Sequence, residues 1–175
     1  MATGSSVTNF KQGDRVMALL PGGGYAEYTT VHNGLVMKVP QGLSDEEAAA
    51  IPEAFLTAYL NLFWLGKLEK GQSVLIHAGA SGVGTASIQT AVAAGANVWI
   101  TAGSEEKLKA CRKIGARDGW NYRAGSFVSW LQAETSGQGV DLVLDFIGGP
   151  YAEDNIKSLK EGGRLILIGT MGGAK

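Results

Sequence analysis

The feature that most constrains this chain is the alternation of short apolar runs with helix-like stretches from residue 73 onward. The apolar runs predict strands at residues 73–77, 97–101, 119–121, 140–146 and 164–169. The stretches between them predict helices at residues 82–94, 105–114, 126–134 and 151–160. Two runs, Val74-Leu75-Ile76 and Leu142-Val143-Leu144, are apolar at successive positions, as in parallel strands covered on both faces. The alternation therefore predicts an α/β fold with a doubly wound, open parallel sheet.

The first 43 residues have a different character, with β-like runs and turn residues but no helical period. These runs predict strands at residues 15–20, 25–31 and 35–39. We therefore divide the chain into a β-rich part, residues 1–43, and an α/β part, residues 44–175. No internal repeat or low-complexity linker joins the two.

Two short helices are predicted where the α/β part begins. Ser44 and Glu47 have the spacing of a capping box, which indicates a helix through residue 50. Pro52 suits the first position of a second helix, over residues 53–65, which Gly66 ends.

Composition excludes several classes of protein. Lys and Arg number 15 against 16 Asp and Glu, so the net charge of −1 provides no field for nucleic acid or an anionic membrane. Cys111 is the single cysteine, which excludes an internal disulfide and a multi-cysteine metal site, and we expect no metal. The most apolar stretch, residues 48–65, contains a proline, a glutamate and an asparagine, so it predicts core helices rather than a membrane span. With no signal-like segment at residues 1–10, we expect a cytoplasmic protein.

A glycine-rich loop follows the first predicted strand of the α/β part. Gly79 and Gly84 occupy the first and third places of a dinucleotide-binding fingerprint, while Ser81 stands at the second place beside Gly82. In that fingerprint the first glycine makes the turn and the third allows helix and strand to pack closely. The amides of Ser81, Gly82 and Val83 would open the next helix and bind phosphate there. The alternative is a tight turn between strand and helix that has no ligand.

The end of the next strand bears on which dinucleotide is bound. An NAD enzyme places a carboxylate there, but residues 101–104 contain none. Ser104 and Lys107 instead offer a hydroxyl and a cation, which suit a 2′-phosphate and favour NADPH. The alternative is that Ser104 only caps the following helix and Lys107 is solvated. Glu105 and Glu106 add negative charge nearby, which weighs against a phosphate.

Several separate segments then match one family in the same order. They lie at residues 13–16, 24–28, 49–52, 56–59, 77–84, 101–104, 120–123 and 162–164. On these segments, over roughly residues 6–174, the chain resembles the zinc-independent NADPH:quinone oxidoreductases, the zeta-crystallin-like enzymes of the medium-chain dehydrogenase/reductase superfamily. The resemblance implies that the chain is a central fragment of such an enzyme. Residues 1–43 would be part of a GroES-like catalytic domain, and residues 44–175 a Rossmann dinucleotide-binding domain with five of its usual six strands, the last one missing.

The resemblance also implies a set of cofactor-binding residues. Those at the pyrophosphate would be Ala80, Ser81, Gly82 and Val83, and those around the 2′-phosphate Ser104, Lys107 and Tyr122. Those near the ribose and nicotinamide would be Ile147, Gly148, Gly149, Gly169, Thr170 and Met171, with Thr57 on the opposite side. Each has a simpler alternative. Tyr122 could be a loop aromatic, residues 148–150 a turn, and Thr57 a side chain bonded within its own helix.

The activity that the resemblance implies is NADPH-dependent hydride transfer to a small-molecule quinone or enone. The family's homodimer is expected of the full-length enzyme. Two alternatives stay open: an NADPH-binding module without turnover of its own, and an interaction protein that retains the fold. No residue stands out as a catalytic acid. We expect His77 to be structural, His32 to be exposed in a turn, Asp145 to bond a turn, and Cys111 to fill the core.

Overall fold

The computed structural model describes residues 2–174, and the chain divides between Ala54 and Phe55 into two compact units. In the first unit, β1 (Val16–Ala18) pairs antiparallel with β2 (Val36–Lys38), and a single 3₁₀ turn, Asn33–Leu35, precedes β2. Residues 25–31, predicted as a strand, form none. No described segment pairs with them, and the Tyr25 and Tyr28 side chains stand exposed.

The predicted capping box is confirmed at the start of α1 (Asp45–Ala49). Ser44 Oγ accepts a hydrogen bond from the Glu47 amide at 3.2 Å, and the Glu47 carboxylate accepts one from the Ser44 amide at 2.8 Å. Two amides that the helix itself cannot satisfy thereby gain acceptors.

The next helix, α2 (Ile51–Tyr59), continues as a wider π-helical turn over Leu60–Leu65. It ends at Gly66, as the sequence predicts, and the Gly66 amide donates to the carbonyl of Asn61 at 3.0 Å. A Cβ at Gly66 would lie 2.6 Å from that carbonyl oxygen, so only glycine closes this turn without displacing the backbone.

The second unit contains a five-stranded sheet with helices between its strands. The strands are β3 (Ser73–Ile76), β4 (Asn97–Ala102), β5 (Asp118–Asn121), β6 (Val140–Asp145) and β7 (Leu159–Leu167). The helices are α3 (Gly82–Ala93), α4 (Glu105–Lys113), α5 (Val128–Glu134) and α6 (Ala152–Ser158). Short 3₁₀ turns lie at Tyr122–Ala124 and Gly149–Tyr151.

The strand order is β5-β4-β3-β6-β7, and every pair is parallel. The predicted doubly wound α/β sheet is thereby confirmed. The order of the chain reverses between β3 and β6, so this is the topological switch point at which ligands bind in such sheets. No helix among residues 2–174 is long and apolar enough to cross a membrane.

The largest error in a predicted strand boundary is at the start of β7. Residues 159 and 160, predicted as the end of a helix, begin β7 instead. Leu159 pairs with Val140, and the register then shifts before Arg164 pairs with Leu142. Gly162 has a φ of +76°, which lets β7 take up the extra residues without leaving the sheet.

Both faces of the central strands are buried. Val74, Leu75 and Ile76 are all 0% exposed, as predicted for a strand covered on both sides. On one face, a cluster joins Leu75, Trp99, Phe127, Leu131, Val140 and Val143. Each such side chain contributes roughly 1.5–3 kcal/mol by leaving water, so this core fixes where the strand ends lie.

Candidate functional site

The glycine-rich loop joins β3 to α3 by an unusual turn. The residue with the left-handed backbone is Ala78, with a φ of +48°, and not Gly79 as the fingerprint would have it. Gly79 is required for a different reason, because a Cβ there would lie 2.7 Å from the Cβ of Ile100 on β4. Gly84 fulfils its expected role of close packing, since its Cβ would lie 2.3 Å from the Ala78 carbonyl oxygen. The loop is thus held tightly against the sheet by two glycines.

The first turn of α3 presents unpaired amides to this loop. Ser81 caps the helix, its Oγ accepting from the Gly84 amide at 3.1 Å. The Ser81 amide, expected among the phosphate donors, already donates to the Ala78 carbonyl at 2.9 Å. The Gly82 and Val83 amides have no acceptor within residues 2–174. These amides, the Ser81 hydroxyl and the positive end of a 12-residue helix can hold an anionic oxygen.

A cavity of about 160 Å³ adjoins the helix end. Its lining residues are Ala78, Ala80, Ser81, Ala102, Gly103, Lys107 and Tyr122. It therefore brings together residues predicted for the pyrophosphate with two predicted for the 2′-phosphate. Gly103, which was not among the predicted site residues, leaves room for Tyr122 at this cavity, because a Cβ there would lie 2.5 Å from the Tyr122 hydroxyl.

One of the two carboxylates that the sequence places near this cavity, that of Glu105, is paired with a cation. Glu105 accepts a 2.7 Å hydrogen bond from Arg112, whose guanidinium also bonds Asp118. The bonds to Glu105 and Asp118 hold the pKa of Arg112 above its ordinary value. Ser104 caps α4, its Oγ accepting from the Lys107 amide at 3.3 Å, so its own hydroxyl proton can still be donated.

The residues predicted near the nicotinamide also come together, in two loops that bond to each other. The Gly149 amide donates to the Gly173 carbonyl at 2.9 Å, and the Gly172 amide donates to the Ile147 carbonyl at 2.8 Å. The Met171 amide donates to the carbonyl of Phe146 at 3.0 Å. The loop after β6 and the loop after β7 therefore form one joined structure, named here the paired loops (residues 146–149 and 169–173).

Gly148 lies at the centre of the paired loops. Its φ is +91°, and a Cβ there would lie 2.7 Å from the Gly173 carbonyl oxygen and 3.1 Å from the Thr170 Cα. Glycine is therefore required at this position both by conformation and by space. Gly169 joins the same structure through its amide, which donates to the Asp145 carbonyl at 3.3 Å.

A buried polar cluster lies below the strand ends. Asp145, 1% exposed, accepts hydrogen bonds from the amides of Ile147 at 2.6 Å and Gly148 at 3.2 Å, which is the expected turn role. It also accepts one from Asn155 Nδ2 at 3.0 Å. Asn155 in turn bonds His77, which is fully buried. Burial lowers the pKa of His77 to about 4, so its ring is neutral at physiological pH.

Sequence reasoning missed Asn155. It lies 78 positions from His77 in the chain, on a helix whose local pattern gives no sign of that contact. Only the topology of the sheet brings the two together, so no signal in a single sequence would have identified it.

The other predicted residues are placed as follows. Thr57 lies within α2, and its carbonyl accepts a hydrogen bond from Asn61 Nδ2 at 2.8 Å; its role at a nicotinamide remains a prediction. His32 is exposed and accepts from the Gly34 amide at 3.1 Å. Cys111 is 1% exposed, and burial raises the pKa of its thiol, which makes it a core residue rather than a nucleophile. Residues 2–174 hold no group of three His, Cys, Asp or Glu side chains that could bind a metal.

Comparison with known proteins agrees with this geometry. A mycocerosic acid synthase-like polyketide synthase from Mycolicibacterium smegmatis is 37% identical over 168 residues, which are 96% of this chain and 8% of that protein. The crystal structure of CurK enoyl reductase shares 37% identity at a TM-score of 0.90, covering 98% of this chain and 51% of the other. A quinone oxidoreductase of Pseudomonas syringae pv. Tomato DC3000 shares 30% identity at a TM-score of 0.89, with 98% and 53% covered.

A mycobacterial protein solved in complex with NADPH shares 34% identity at a TM-score of 0.88, with 98% of this chain and 54% of that chain covered. The chain thus spans about half the length of these solved proteins. It spans 8% of the curated polyketide synthase. The family model described as zinc-binding dehydrogenase matches residues 82–175. This match covers more than half of the chain, including the helix that follows the glycine-rich loop and the paired loops. The chain belongs to the zinc-binding dehydrogenase family, within the medium-chain dehydrogenase/reductase superfamily.

Proposed function

We propose that this chain is the cofactor-binding part of an NADPH-dependent reductase whose acceptor is an enoyl group, a carbon–carbon double bond conjugated to a carbonyl. The observation that carries the proposal is the cavity beside the N-terminus of α3, where Ser81, Lys107 and Tyr122 meet and no carboxylate lies at the end of β4. A mycobacterial relative solved with NADPH supports the choice of cofactor.

The described residues fit NADPH at both ends of the site. The pyrophosphate would be held at the start of α3 by Ala80, Ser81, Gly82 and Val83. The 2′-phosphate would be held by Ser104, Lys107 and Tyr122. The paired loops would bound the nicotinamide, with Thr57 proposed on its other side. The pyrophosphate can approach the backbone closely here, because no heavy atom lies within 4 Å of the place where a Cβ of Gly82 would stand. When bound, NADPH supplies the hydride; the contribution of these residues is to hold and orient it.

Zinc does not fit the residues described. The family's description names zinc, but residues 2–174 contain one cysteine and no cluster of three metal-binding side chains. We therefore derive no step through zinc for this chain.

Replacing Lys107 with Ala is expected to weaken NADPH binding about tenfold and to leave NADH binding nearly unchanged. Loss of a charge-assisted hydrogen bond to a 2′-phosphate costs about 1.5–3 kcal/mol, and exposure of Lys107 places this case at the lower end. Isothermal titration calorimetry with both cofactors measures the effect. Lys109→Ala is the matched control, because Lys109 is exposed on the same helix but does not line the cavity. Equal weakening of both cofactors by Lys107→Ala would reject the assignment.

An enoyl acceptor is favoured over a quinone by the relatives. The CurK enoyl reductase is 37% identical to this chain and the quinone oxidoreductase is 30% identical, and the curated relative is a polyketide synthase. The quinone remains the second candidate, because the sequence segments resemble quinone reductases. Oxidation of NADPH, followed at its own absorbance with a crotonyl thioester and separately with a benzoquinone, distinguishes the two. Binding of NADPH without oxidation by either acceptor would instead indicate a module without its own turnover.

The proposal includes a homodimer, which the resemblance implies for full-length members of the family. The molar mass in solution, measured by light scattering, tests it.

A further inference from the structure

Four buried side chains form a continuous hydrogen-bonded chain beneath the strand ends. Thr101 Oγ1 lies 2.9 Å from His77 Nδ1, and His77 Nε2 lies 2.7 Å from Asn155 Oδ1. Asn155 Nδ2 lies 3.0 Å from the carboxylate of Asp145. All four residues are at most 1% exposed. They cannot be on the surface of the site, so any effect they have on a ligand acts through the loops.

The direction of every bond in this chain is determined. The carboxylate of Asp145 accepts, so the Asn155 amide donates to it and turns its carbonyl oxygen toward His77. His77 must then carry its proton on Nε2 and accept at Nδ1, which leaves the Thr101 hydroxyl as the donor. This assignment holds for the neutral ring, which burial favours by lowering the pKa of His77 to about 4. With the ring neutral, one arrangement of protons satisfies all four groups.

Three members of this hydrogen-bonded chain lie where a loop of the site begins, and the fourth, Asn155, lies on α6. Thr101 is next to Ala102 and Gly103, which line the cavity, and His77 directly precedes the glycine-rich loop. Asp145 binds the Ile147 and Gly148 amides in the paired loops. The hydrogen-bonded chain thus connects the ends of β4, β3 and β6. Its part between β3 and β6 crosses the topological switch point.

The His77 ring is held firmly in place. It packs against the rings of Phe127 and Tyr151, with both centroid separations at 4.8 Å, and those two rings lie 5.3 Å from each other. Because the ring belongs to this aromatic cluster and is bonded at both nitrogens, it transmits the position of one strand end to the next.

We propose that Thr101, His77, Asn155 and Asp145 are positioning residues that hold the paired loops in register with the phosphate-binding loops, so that both halves of NADPH bind at once. The inference rests on the proposed function. Its distinctive consequence concerns the two halves of the cofactor separately. The adenosine half needs only the α3 N-terminus and the cavity beside it, whereas the whole cofactor needs the paired loops as well.

The test is the Asn155→Leu variant, which removes the central link while keeping a side chain of similar size. We expect it to bind NADPH about tenfold more weakly than the wild type, because each binding event must now restore the loop register. Binding of adenosine 2′,5′-bisphosphate, which carries only the adenosine half, is expected to stay within about twofold. Calorimetry of the intact protein with each of the two ligands gives the ratio of these affinities. A residue that only stabilises the fold would lower the melting temperature and leave this ratio unchanged.

Ser158→Ala is the matched control. Ser158 is also fully buried on α6, but its hydroxyl has no hydrogen-bond partner among residues 2–174. Ser158→Ala therefore leaves the hydrogen-bonded chain of four residues intact, and the ratio of the two affinities should stay at the wild-type value. Asn155→Ala removes the same link without placing a larger apolar side chain against Asp145, and it carries the test should Asn155→Leu fail to fold. We expect it to lower NADPH affinity by about fivefold, with binding of the bisphosphate again within about twofold.

The outcomes separate the two hypotheses. If both variants keep the wild-type ratio of the two affinities, with or without parallel weakening of both ligands, the positioning role is overturned while NADPH binding stays established. If the wild-type chain binds neither ligand, the proposed function itself is rejected, and the positioning role with it.

Discussion

Replacing Gly84 with Ala is expected to lower the free energy of unfolding of the second unit by about 3 kcal/mol or more. The added methyl group would lie 2.3 Å from the carbonyl oxygen of Ala78 and 2.7 Å from that of Gly79. Both neighbours are backbone atoms, and both belong to the turn that leads from β3 to α3, so neither can yield without moving the strand end. Alanine regains about 1 kcal/mol of helix propensity, which is too little to offset the clash.

Thermal unfolding followed by circular dichroism measures this effect, and a decrease of the melting temperature by about 6–12 °C corresponds to it. Gly82→Ala is the control on the same turn of α3, since nothing lies within 4 Å of its Cβ position. It should keep the wild-type melting temperature but weaken NADPH binding, because its methyl group would stand where the pyrophosphate is proposed. Equal melting temperatures for Gly84→Ala and the wild type would show that the turn adapts, contrary to the close packing argued here.

The second large effect expected is a loss of stability in acid that originates at His77. The ring is 0% exposed, and burial outweighs the hydrogen bond to Asn155 and the attraction of Asp145 and Asp154, so the pKa of His77 falls to about 4 from its ordinary value of 6.5. The folded state therefore favours the neutral ring. This contribution to stability is fully present above pH 6.5 and is lost as the pH falls from 6.5 toward 4. Its size is about 3 kcal/mol.

Urea unfolding at pH 7, 6, 5 and 4 tests this expectation, with His77→Gln as the comparison. Glutamine offers a donor and an acceptor but does not titrate in this range. Carboxylates that titrate in both proteins cancel in the difference. The wild type should therefore lose about 3 kcal/mol more than the variant between pH 7 and pH 4. Parallel losses in the two proteins would mean that His77 does not carry the acid sensitivity.

The doubly wound sheet could be predicted because its signal is local. Runs such as Val74-Leu75-Ile76 show burial on both faces within three residues, and the capping box of Ser44 and Glu47 spans four. Both were correct. The predicted strand at residues 25–31 was wrong because a strand also needs a partner, which periodicity cannot report. The start of β7 was wrong because Leu159 is extended by pairing with Val140, a contact between segments far apart in the chain.

The candidate site likewise has residues that the sequence could predict and roles that only the structure could show. Ser81 and Lys107 could be chosen from the residue pattern, and Tyr122 from the family resemblance; the structure brings all three to one cavity. Their roles with a cofactor remain predictions. Fingerprint reasoning assigned the turn to Gly79, whereas the chain uses Ala78 for the left-handed residue and Gly79 for clearance from Ile100. A motif gives the spacing of its glycines but not which atom each one avoids, and that requires coordinates.

The place of β3 between β4 and β6 also orders the events of folding. Paired residues lie 24 positions apart across β3 and β4 but 68 apart across β3 and β6. Closing the longer loop costs about 0.9 kcal/mol more chain entropy, so the nearer pairing should form first. A growing polypeptide that has not yet reached residue 140 already possesses the α3 N-terminus but lacks the paired loops. The complete site is thus a product of late folding, and a cofactor that needs both loops would slow unfolding rather than hasten the early steps.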